Sequence, residues 1–290
     1  VNVVGCALFA AISGSSAATV ATVGKMSIPE LRKRNYPEKI LLGSLAGSGT
    51  LGLLIPPSII LIIYGVTVQE SIAKLFIAGI IPGIMIAIIF MLYVIVWSLI
   101  NKKIMPETFE NFSFFEKVKR SRQLIPVILL ILGVIGSIYT GIATATEAAS
   151  LGVVGALILS YFQKSLSLET FKKSLLGATK TSCMIAFILA GSSFLSLAMG
   201  FTGLPRNLAI WIENMDLSPY ILIMVLMIFY IILGMFLDGI SAVVLTMAII
   251  EPMIRQAGFD MIWFGIFLVV VVEMAQITPP VGFNLFVLQG

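Results

Sequence analysis

The chain has 290 residues, of which 59% are hydrophobic and 11% are charged, and its formal net charge is +4. Soluble domains carry about 25% charged residues. This composition, with a mean hydropathy of +1.09, therefore excludes an ordinary soluble protein and indicates an integral membrane protein. With no histidine and only two cysteines, Cys6 and Cys183, the chain lacks the ligands of a zinc site. It has no initiator Met and opens and closes inside apolar runs, so we expect a fragment truncated at both ends.

Basic residues are concentrated in some connecting segments and not in others. Three segments each have a net charge of +3, namely residues 25–39, 101–122 and 163–180. Three others have a net charge of −1 or 0, namely residues 65–74, 202–217 and 253–262. The positive-inside rule places the first group in the cytoplasm and the second group outside. Because membrane topology explains the basic charge, we expect no nucleic-acid partner.

In chain order, the first predicted elements are a helical hairpin and a broken helix. Residues 1–24 enter from the cytoplasm and return to it, which predicts a re-entrant hairpin with its turn at residues 13–16. Residues 40–64 cross outward and are interrupted at residues 52–57, which end on two prolines that cannot donate backbone hydrogen bonds. Four uninterrupted crossings follow, at residues 75–99, 124–139, 147–162 and 181–201.

The last predicted elements repeat this pattern in the opposite orientation. Residues 219–252 form a second hairpin that enters from outside, with its turn at Asp238 and Gly239. Residues 262–290 cross inward and are interrupted at residues 275–280, which also end on two prolines. Interrupted segments at matching places in two oppositely oriented halves are typical of the inverted repeats of secondary transporters.

The predicted fold is therefore an all-α, polytopic integral membrane protein with two re-entrant helical hairpins and two broken helices. We divide it into a first transport repeat (residues 1–66), scaffold helices (residues 67–200) and a second transport repeat (residues 201–290). Irregular backbone inside a membrane is tolerated where it is buried in protein or lines a water-filled cavity. The four interruptions are therefore expected to share one polar pocket.

Four acidic residues remain once the connecting segments are removed: Glu147, Asp238, Glu251 and Glu273. Charges within a membrane are costly and usually face a bundle interior or an ion path, and carboxylates without a basic partner favour a cation, either a metal ion or a proton. Asp238 is either an ion ligand or a helix cap, and Glu273 is either functional or a hydrogen-bonded structural group. Glu147 is a capping or a transport residue, whereas Glu251 is expected to be solvated.

Neutral oxygen atoms surround the predicted interruptions. Five hydroxyl residues flank Gly14, namely Ser13, Ser15, Ser16, Thr19 and Thr22. They either bond back to carbonyls of their own helix or supply oxygen ligands, and their position at a predicted turn favours the second role. Residues 47–52 (GSGTLG) either allow close helix packing or form an unwound stretch whose carbonyls bind an ion. Their position before the first proline pair favours the unwound stretch. Residues 275–278 (AQIT) are their counterpart before the second proline pair.

Two other classes of membrane protein compete with a transporter. An intramembrane serine protease needs a general base, and the chain has no histidine. An aspartyl protease needs a second carboxylate beside Asp238, for which only Glu273 could serve. The other alternative is a passive or proton-coupled channel or carrier.

Six motifs in order along the chain resemble the large membrane (M) subunit of tripartite ATP-independent periplasmic (TRAP) transporters, a family of the ion-transporter superfamily. They are FAAISGS at 9–15, IPPS at 55–58, LFIAGIIPG at 75–83, TEAA at 146–149, GMFLD at 234–238 and ITPPVGFNLFV at 277–287. The resemblance implies a transporter and not an enzyme. It implies a sodium-coupled secondary active importer of small organic acids, such as dicarboxylates or sialic acid, in the bacterial inner membrane.

The same resemblance implies an elevator mechanism, in which a domain holding both hairpins moves against a scaffold. It implies Na+ ions as the cofactor, without a transition metal. The implied partners are a small membrane (Q) subunit, a periplasmic substrate-binding (P) protein, the organic-acid substrate and the surrounding phospholipid.

We expect two sodium sites and one substrate site where turns and breaks meet. The first sodium site comprises Ser13, Gly14, Ser16, Thr50, Gly52 and Pro56. The second sodium site comprises Asp238, Gly239, Thr278 and Pro279. The substrate site comprises Ser15, Pro57, Ser58 and Asn284.

Overall fold

The structure is a computed structural model that describes residues 2–106, 121–203, 207, 210 and 218–289. Within these residues the regular structure is helical and contains no strand. Parts of the connecting segments 101–122 and 202–217 lie outside the described residues. The helices are α1 Asn2–Ser13, α2 Ser16–Lys33, α3 Glu38–Gly49, α4 Leu51–Leu54, α5 Ile59–Thr67, α6 Ile72–Ile100, α7 Ile125–Tyr139, α8 Ala145–Phe162, α9 Leu168–Thr202, α10 Pro219–Gly234, α11 Gly239–Gln256, α12 Met261–Gln276 and α13 Phe283–Gln289. A 3₁₀ turn at Ser121–Leu124 precedes α7.

Several helices fit the dimensions of a membrane. Five helical stretches in the described part of the chain are long and apolar enough to cross it, namely Glu38–Thr67, Ile72–Ile100, Ala145–Phe162, Leu168–Thr202 and Gly239–Gln256. Four shorter apolar helices are Asn2–Ser13, Ile125–Tyr139, Pro219–Gly234 and Met261–Gln276. The expectation of an all-helical, polytopic membrane protein is thus confirmed.

The chain divides into two compact units. One is formed by Val1–Pro106 with Ile188–Gly290, and the other by Glu107–Phe187. In the second unit α7 packs against α8, so closely that a Cβ on Gly155 would clash with Leu130 Cδ1. The functional division at residues 66 and 200 stays a prediction.

A two-residue connection joins α1 to α2, and the two helices pack against each other. Gly14 has a φ of 61°, in the left-handed region that glycine adopts at little cost. Ser15 follows as the N-cap of α2, and its hydroxyl accepts a hydrogen bond from Ala18 N at 3.5 Å. We call residues 13–16 the first turn, and it lies where the sequence predicts it.

The first broken helix is interrupted later than expected. Thr50 has a helical φ of −61°, and the chain stays helical through Leu54. We call the non-helical residues 55–58 the first break; they contain the cis Pro56-Pro57 bond. The expectation of an unwound stretch at residues 47–52 is therefore wrong, because α3 and α4 cover it apart from helical Thr50, and the glycines serve close packing instead.

The basic segment 163–180 is also more helical than its role as a connection suggested. The helix α9 begins at Leu168 and runs for 35 residues, whereas the predicted crossing begins at residue 181. The Ser167 hydroxyl accepts a hydrogen bond from Thr170 N at 3.1 Å, which starts the helix as an N-cap does. Glu169 and Lys173, four residues apart, form an ion pair at 2.7 Å along it.

The second half contains the corresponding pieces. Residues 235–238 join α10 to α11, and we call residues 235–239 the second turn. The Tyr230 and Thr246 hydroxyls, one on each helix, lie 2.6 Å apart in the buried interior. After α12 the chain leaves the helix at residues 277–282, the second break, which contains the cis Pro279-Pro280 bond.

The two halves pack together within the first unit, through α11 and α12 against α5, and through α13 against α2 and α3. The Tyr64 hydroxyl donates to Met261 O at 2.7 Å. Arg255 donates to Val68 O at 3.1 Å. These contacts bring the weakly charged segments 65–74 and 253–262 to one end of the unit, which is consistent with placing both on the same side of the membrane.

Candidate ion and substrate site

The first turn lies directly against the first break. Gly14 O accepts a hydrogen bond from Ile59 N at 3.1 Å. A Cβ on Gly14 would lie 2.7 Å from Pro57 O, and a Cβ on Gly52 would lie 2.6 Å from Ser15 O. These distances leave no room for a side chain, so both glycines are required for the contact. The predicted first-site residues Gly14 and Gly52 are thus brought together.

Two of the hydroxyls near the first turn lie in contact with each other. Ser13 Oγ and Thr19 Oγ1 lie 2.8 Å apart, and Thr19 also donates to Ser15 O at 2.7 Å. Thr50 is buried and donates to Gly47 O at 2.7 Å. A hydroxyl that donates its hydrogen bond to a carbonyl keeps lone pairs that can face a cation. Neutral oxygens of this kind suit hard cations.

Asp238 caps the second turn. Its Oδ2 accepts hydrogen bonds from Ile240 N at 3.1 Å and Ser241 N at 3.2 Å, and Ser241 Oγ donates to Oδ1 at 2.5 Å. The capping role considered for Asp238 is therefore present, and its half-buried carboxylate retains further acceptor positions. Its role as an ion ligand stays a prediction.

The second turn reaches the end of α12 but meets it before the proline pair. A Cβ on Gly239 would lie 3.0 Å from Gln276 Nε2, and one on Gly234 would lie 2.7 Å from Ala275 Cβ. The Thr278 hydroxyl donates to Met274 O at 2.7 Å, and Pro279 is exposed. Among the described residues no hydrogen bond joins Asp238 to Thr278. The structure thus places Gly239 beside α12, and it does not link Asp238 directly to Thr278.

The predicted substrate residues differ in their burial and in their hydrogen-bond partners. Ser58 is fully buried, and its hydroxyl donates to Leu53 O. Ser15 and Pro57 are half-buried, and Pro56 beside them is buried. Asn284 on α13 is 0% exposed, and both polar atoms of its amide lack a hydrogen-bond partner. Leaving a buried amide unpaired lowers the stability by about 1–3 kcal/mol. Among the four predicted substrate residues, Asn284 is therefore the strongest candidate for a hydrogen bond to a ligand.

Sequence reasoning gave too little weight to Gln276. It is 2% exposed, and its Oε1 accepts a hydrogen bond from the Ser16 hydroxyl at 2.9 Å. This bond links the first turn to the end of α12, across 260 residues of sequence. The available signal was an amide at the end of an otherwise apolar helix, next to a proline pair.

Glu273, Glu251 and Glu147 differ in their surroundings. Glu273 is 3% exposed, and its Oε1 lacks a hydrogen-bond partner. Glu251 pairs with Arg255 at 2.9 Å on the same helix. Glu147 forms a capping box with Thr144, accepting from both Thr144 N and Thr144 Oγ1 at 2.8 Å. Glu251 and Glu147 therefore have structural roles in their own helices.

Replacing Glu147 with glutamine is expected to leave transport unchanged. Glutamine serves in a capping box as glutamate does, so the start of α8 is kept while the charge is removed. The measurement is the initial rate of solute uptake into proteoliposomes that contain the protein. A large loss of uptake with unchanged thermal stability would instead assign Glu147 to the transport path. Thr144→Ala, which removes the cap, is expected to cost about 1 kcal/mol of stability.

Comparison with known proteins identifies the family. Residues 1–290 match the family described as "Tripartite ATP-independent periplasmic transporter, DctM component". The chain is 35% identical over 287 residues to the C4-dicarboxylate TRAP transporter large permease protein DctM of Pseudomonas aeruginosa, covering 98% of this chain and 66% of that protein. It is 34% identical to the protein of the same name from Rhodobacter capsulatus, covering 100% and 68%.

A further relative, 32% identical, is the isethionate TRAP transporter permease protein DctMQ of Oleidesulfovibrio alaskensis, of which the chain covers 45%. The chain thus spans at most about two thirds of the length of these relatives. Their names describe transport permeases and not enzymes, which removes the intramembrane proteases from consideration. With the whole chain matched and four of the six ordered motifs placed at the two turns and two breaks, the chain belongs to the DctM family, the large membrane subunits of TRAP transporters.

Proposed function

We propose that the protein is the large membrane subunit of a sodium-coupled importer of small organic acids across the bacterial inner membrane. The single observation that carries this proposal is the contact of both turns with broken helices, through Gly14 at Pro57 and Gly239 at Gln276. Half-helix ends expose unpaired backbone groups, and transporters use them to bind ions and anionic substrates near the midplane.

Coupling to a cation is supported by the chemistry of the two turns. The first turn supplies neutral oxygens from Ser13, Gly14 and Ser16, and the second supplies the Asp238 carboxylate. Such oxygen ligands bind hard cations and do not attract an anion. In the proposed first site Thr50, Gly52 and Pro56 complete the ligands, and in the second Thr278 and Pro279 do so.

The substrate is proposed to bind between the turns, near Ser15, Pro57, Ser58 and Asn284. The unpaired Asn284 amide provides both a donor and an acceptor, which suits a carboxylate or hydroxyl group of the substrate. Dicarboxylates are the first candidates, because two of the relatives named above are C4-dicarboxylate permeases. Sialic acid or a similar carboxylate is the second candidate.

The mechanism we propose is an elevator, in which the domain containing both turns moves the occupied site across the membrane. Its partners are a small membrane (Q) subunit and a periplasmic substrate-binding (P) protein. The joint name DctMQ of the Oleidesulfovibrio relative supports a Q partner, and the family description supports a periplasmic component.

The decisive experiment is uptake of labelled organic acids into proteoliposomes that contain the full-length protein with its small subunit and binding protein. An inward sodium gradient is compared with choline at equal ionic strength and with a proton gradient, and the binding protein is omitted in a parallel sample. We expect accumulation above the external concentration only with sodium and binding protein. Equilibration regardless of sodium would identify a channel, and accumulation driven by protons alone a proton-coupled carrier.

A further inference from the structure

Gln276 touches both turns at once. The Ser16 hydroxyl donates to Gln276 Oε1 at 2.9 Å, and Gln276 Nε2 lies 3.0 Å from the point that a Cβ on Gly239 would occupy. Gln276 is 2% exposed and Ser16 is 3% exposed. A single amide therefore fills the space between a hydroxyl of the first turn and the backbone of the second.

The hydrogen bond determines which side of the Ser16 oxygen is available to an ion. A serine hydroxyl has one proton and two lone pairs. With its proton directed to Gln276, Ser16 Oγ presents lone pairs in its other directions, as a cation ligand must. Without this acceptor the hydroxyl is free to rotate, and its proton can point toward the ion position.

The neighbouring hydroxyls do not depend on the second half of the chain in this way. Thr19 on α2 donates to the carbonyl of Ser15, the N-cap of the same helix, at 2.7 Å, and Thr50 donates to Gly47 O at 2.7 Å in the preceding turn of helix. Of these three hydroxyls, Ser16 is the one whose orientation is set by a residue of the other half. A shift of α12 or of the second turn that moves the Gln276 amide therefore changes the orientation of the Ser16 hydroxyl.

We propose that Gln276 is a positioning residue that orients Ser16 as a sodium ligand and couples the first ion site to the second turn. The proposal rests on the sodium-coupled function proposed above and adds a shared residue between its two ion sites. Because coupling between sites is reciprocal, an ion at the second turn that holds Gly239 in place also stabilises the Ser16 orientation. Sodium binding at the two turns is then cooperative.

The test is a sodium titration of the thermal stability of the full-length protein with its small membrane subunit, with choline chloride keeping the ionic strength constant. Gln276→Met removes the acceptor at nearly constant length. Removing an outer-shell partner typically costs 10–100-fold in metal affinity, and we expect Gln276→Met to raise the half-saturating sodium concentration about tenfold.

The matched control is Ser48→Ala. Ser48 is 1% exposed, and its hydroxyl donates to Ser44 O of its own helix. The Ser48→Ala variant should leave the half-saturating sodium concentration unchanged.

A double variant separates positioning from mere packing. Once Ser16→Ala has removed the hydroxyl, there is nothing left for Gln276 to orient. Adding Gln276→Met to Ser16→Ala should therefore raise the half-saturating sodium concentration no further. If Gln276→Met instead lowers the melting temperature without sodium but leaves the half-saturating concentration unchanged, Gln276 is only a packing residue and the proposal is overturned.

The outcomes distinguish this inference from the proposed function. A wild-type protein whose melting temperature does not respond to sodium would contradict sodium coupling itself, and this inference with it. If the wild-type protein responds to sodium and Gln276→Met has the same half-saturating sodium concentration, the role of Gln276 is overturned and sodium coupling is not. If Gln276→Met does not fold, Gln276→Ala removes the same acceptor without adding bulk, and the same two results decide the question.

Discussion

Replacing Asp238 with asparagine is expected to raise the sodium concentration needed for half-maximal uptake by at least about tenfold, which corresponds to about 1.4 kcal/mol. Asparagine is as good an N-cap as aspartate, so the hydrogen bonds from Ile240 N and Ser241 N can be kept. The substitution removes the charge that would attract a cation. The measurement is the sodium dependence of initial uptake in proteoliposomes.

The matched control is Asp260→Asn. Asp260 is the N-cap of α12 and accepts a hydrogen bond from Trp263 N at 2.8 Å, but it is exposed and lies outside the proposed sites. Its uptake should have the wild-type sodium dependence. If uptake by Asp238→Asn has the same sodium dependence as uptake by Asp260→Asn, Asp238 is a helix cap only, and the second ion site is not built as proposed.

Replacing Gly52 with alanine is expected to abolish uptake and to lower the melting temperature. The added Cβ would lie 2.6 Å from Ser15 O, 2.7 Å from Ser15 C and 2.9 Å from Ser16 N. These are backbone atoms, so no rotamer change relieves the clash, and the first turn must move away from α4. Overpacking of this kind costs about 1–3 kcal/mol or more, and the displaced turn carries Ser16 and Ser15 out of the proposed sites.

Two comparisons make the Gly52 result specific. Gly43→Ala on α3 meets open space and should be neutral or slightly stabilising, since alanine is the better helix former. The Cβ of Gly49→Ala would clash with Val20 Cγ2, which is a side-chain atom, so adding Val20→Ala to Gly49→Ala should restore the melting temperature. Wild-type stability and uptake in Gly52→Ala would mean that the first turn does not contact α4 as described.

The approximate positions of the turns and breaks were predictable because their signals are local, although the two breaks begin at residues 55 and 277 and not at the predicted residues 52 and 275. Gly14 among hydroxyl residues indicates an interruption of a helix, and so does the Pro56-Pro57 pair, which removes two backbone donors. Asp238 before Gly239 predicts an N-cap, and the structure shows that cap. The capping box of Glu147 with Thr144 is likewise readable from its spacing of three residues.

The interpretation of residues 47–52 went wrong for a physical reason. Glycine is compatible with an unwound backbone and with close helix packing, and the local sequence does not distinguish these two uses. The decision depends on what lies opposite, here Val20 against Gly49 and Ser15 against Gly52. A contact between residues so far apart along the chain leaves no mark in either local segment.

By itself, the sequence determined that this protein is helical, crosses a membrane several times and has two similar interrupted halves, because composition, loop charge and proline pairs act locally or additively along the chain. Only the tertiary structure decided that Gln276 accepts a hydrogen bond from the Ser16 hydroxyl, that Asn284 is buried without a partner, and that Gly239 of the second turn lies against Gln276 at the end of α12. Each of these facts depends on the packing of distant helices, whose side chains meet at distances that no one-dimensional pattern specifies.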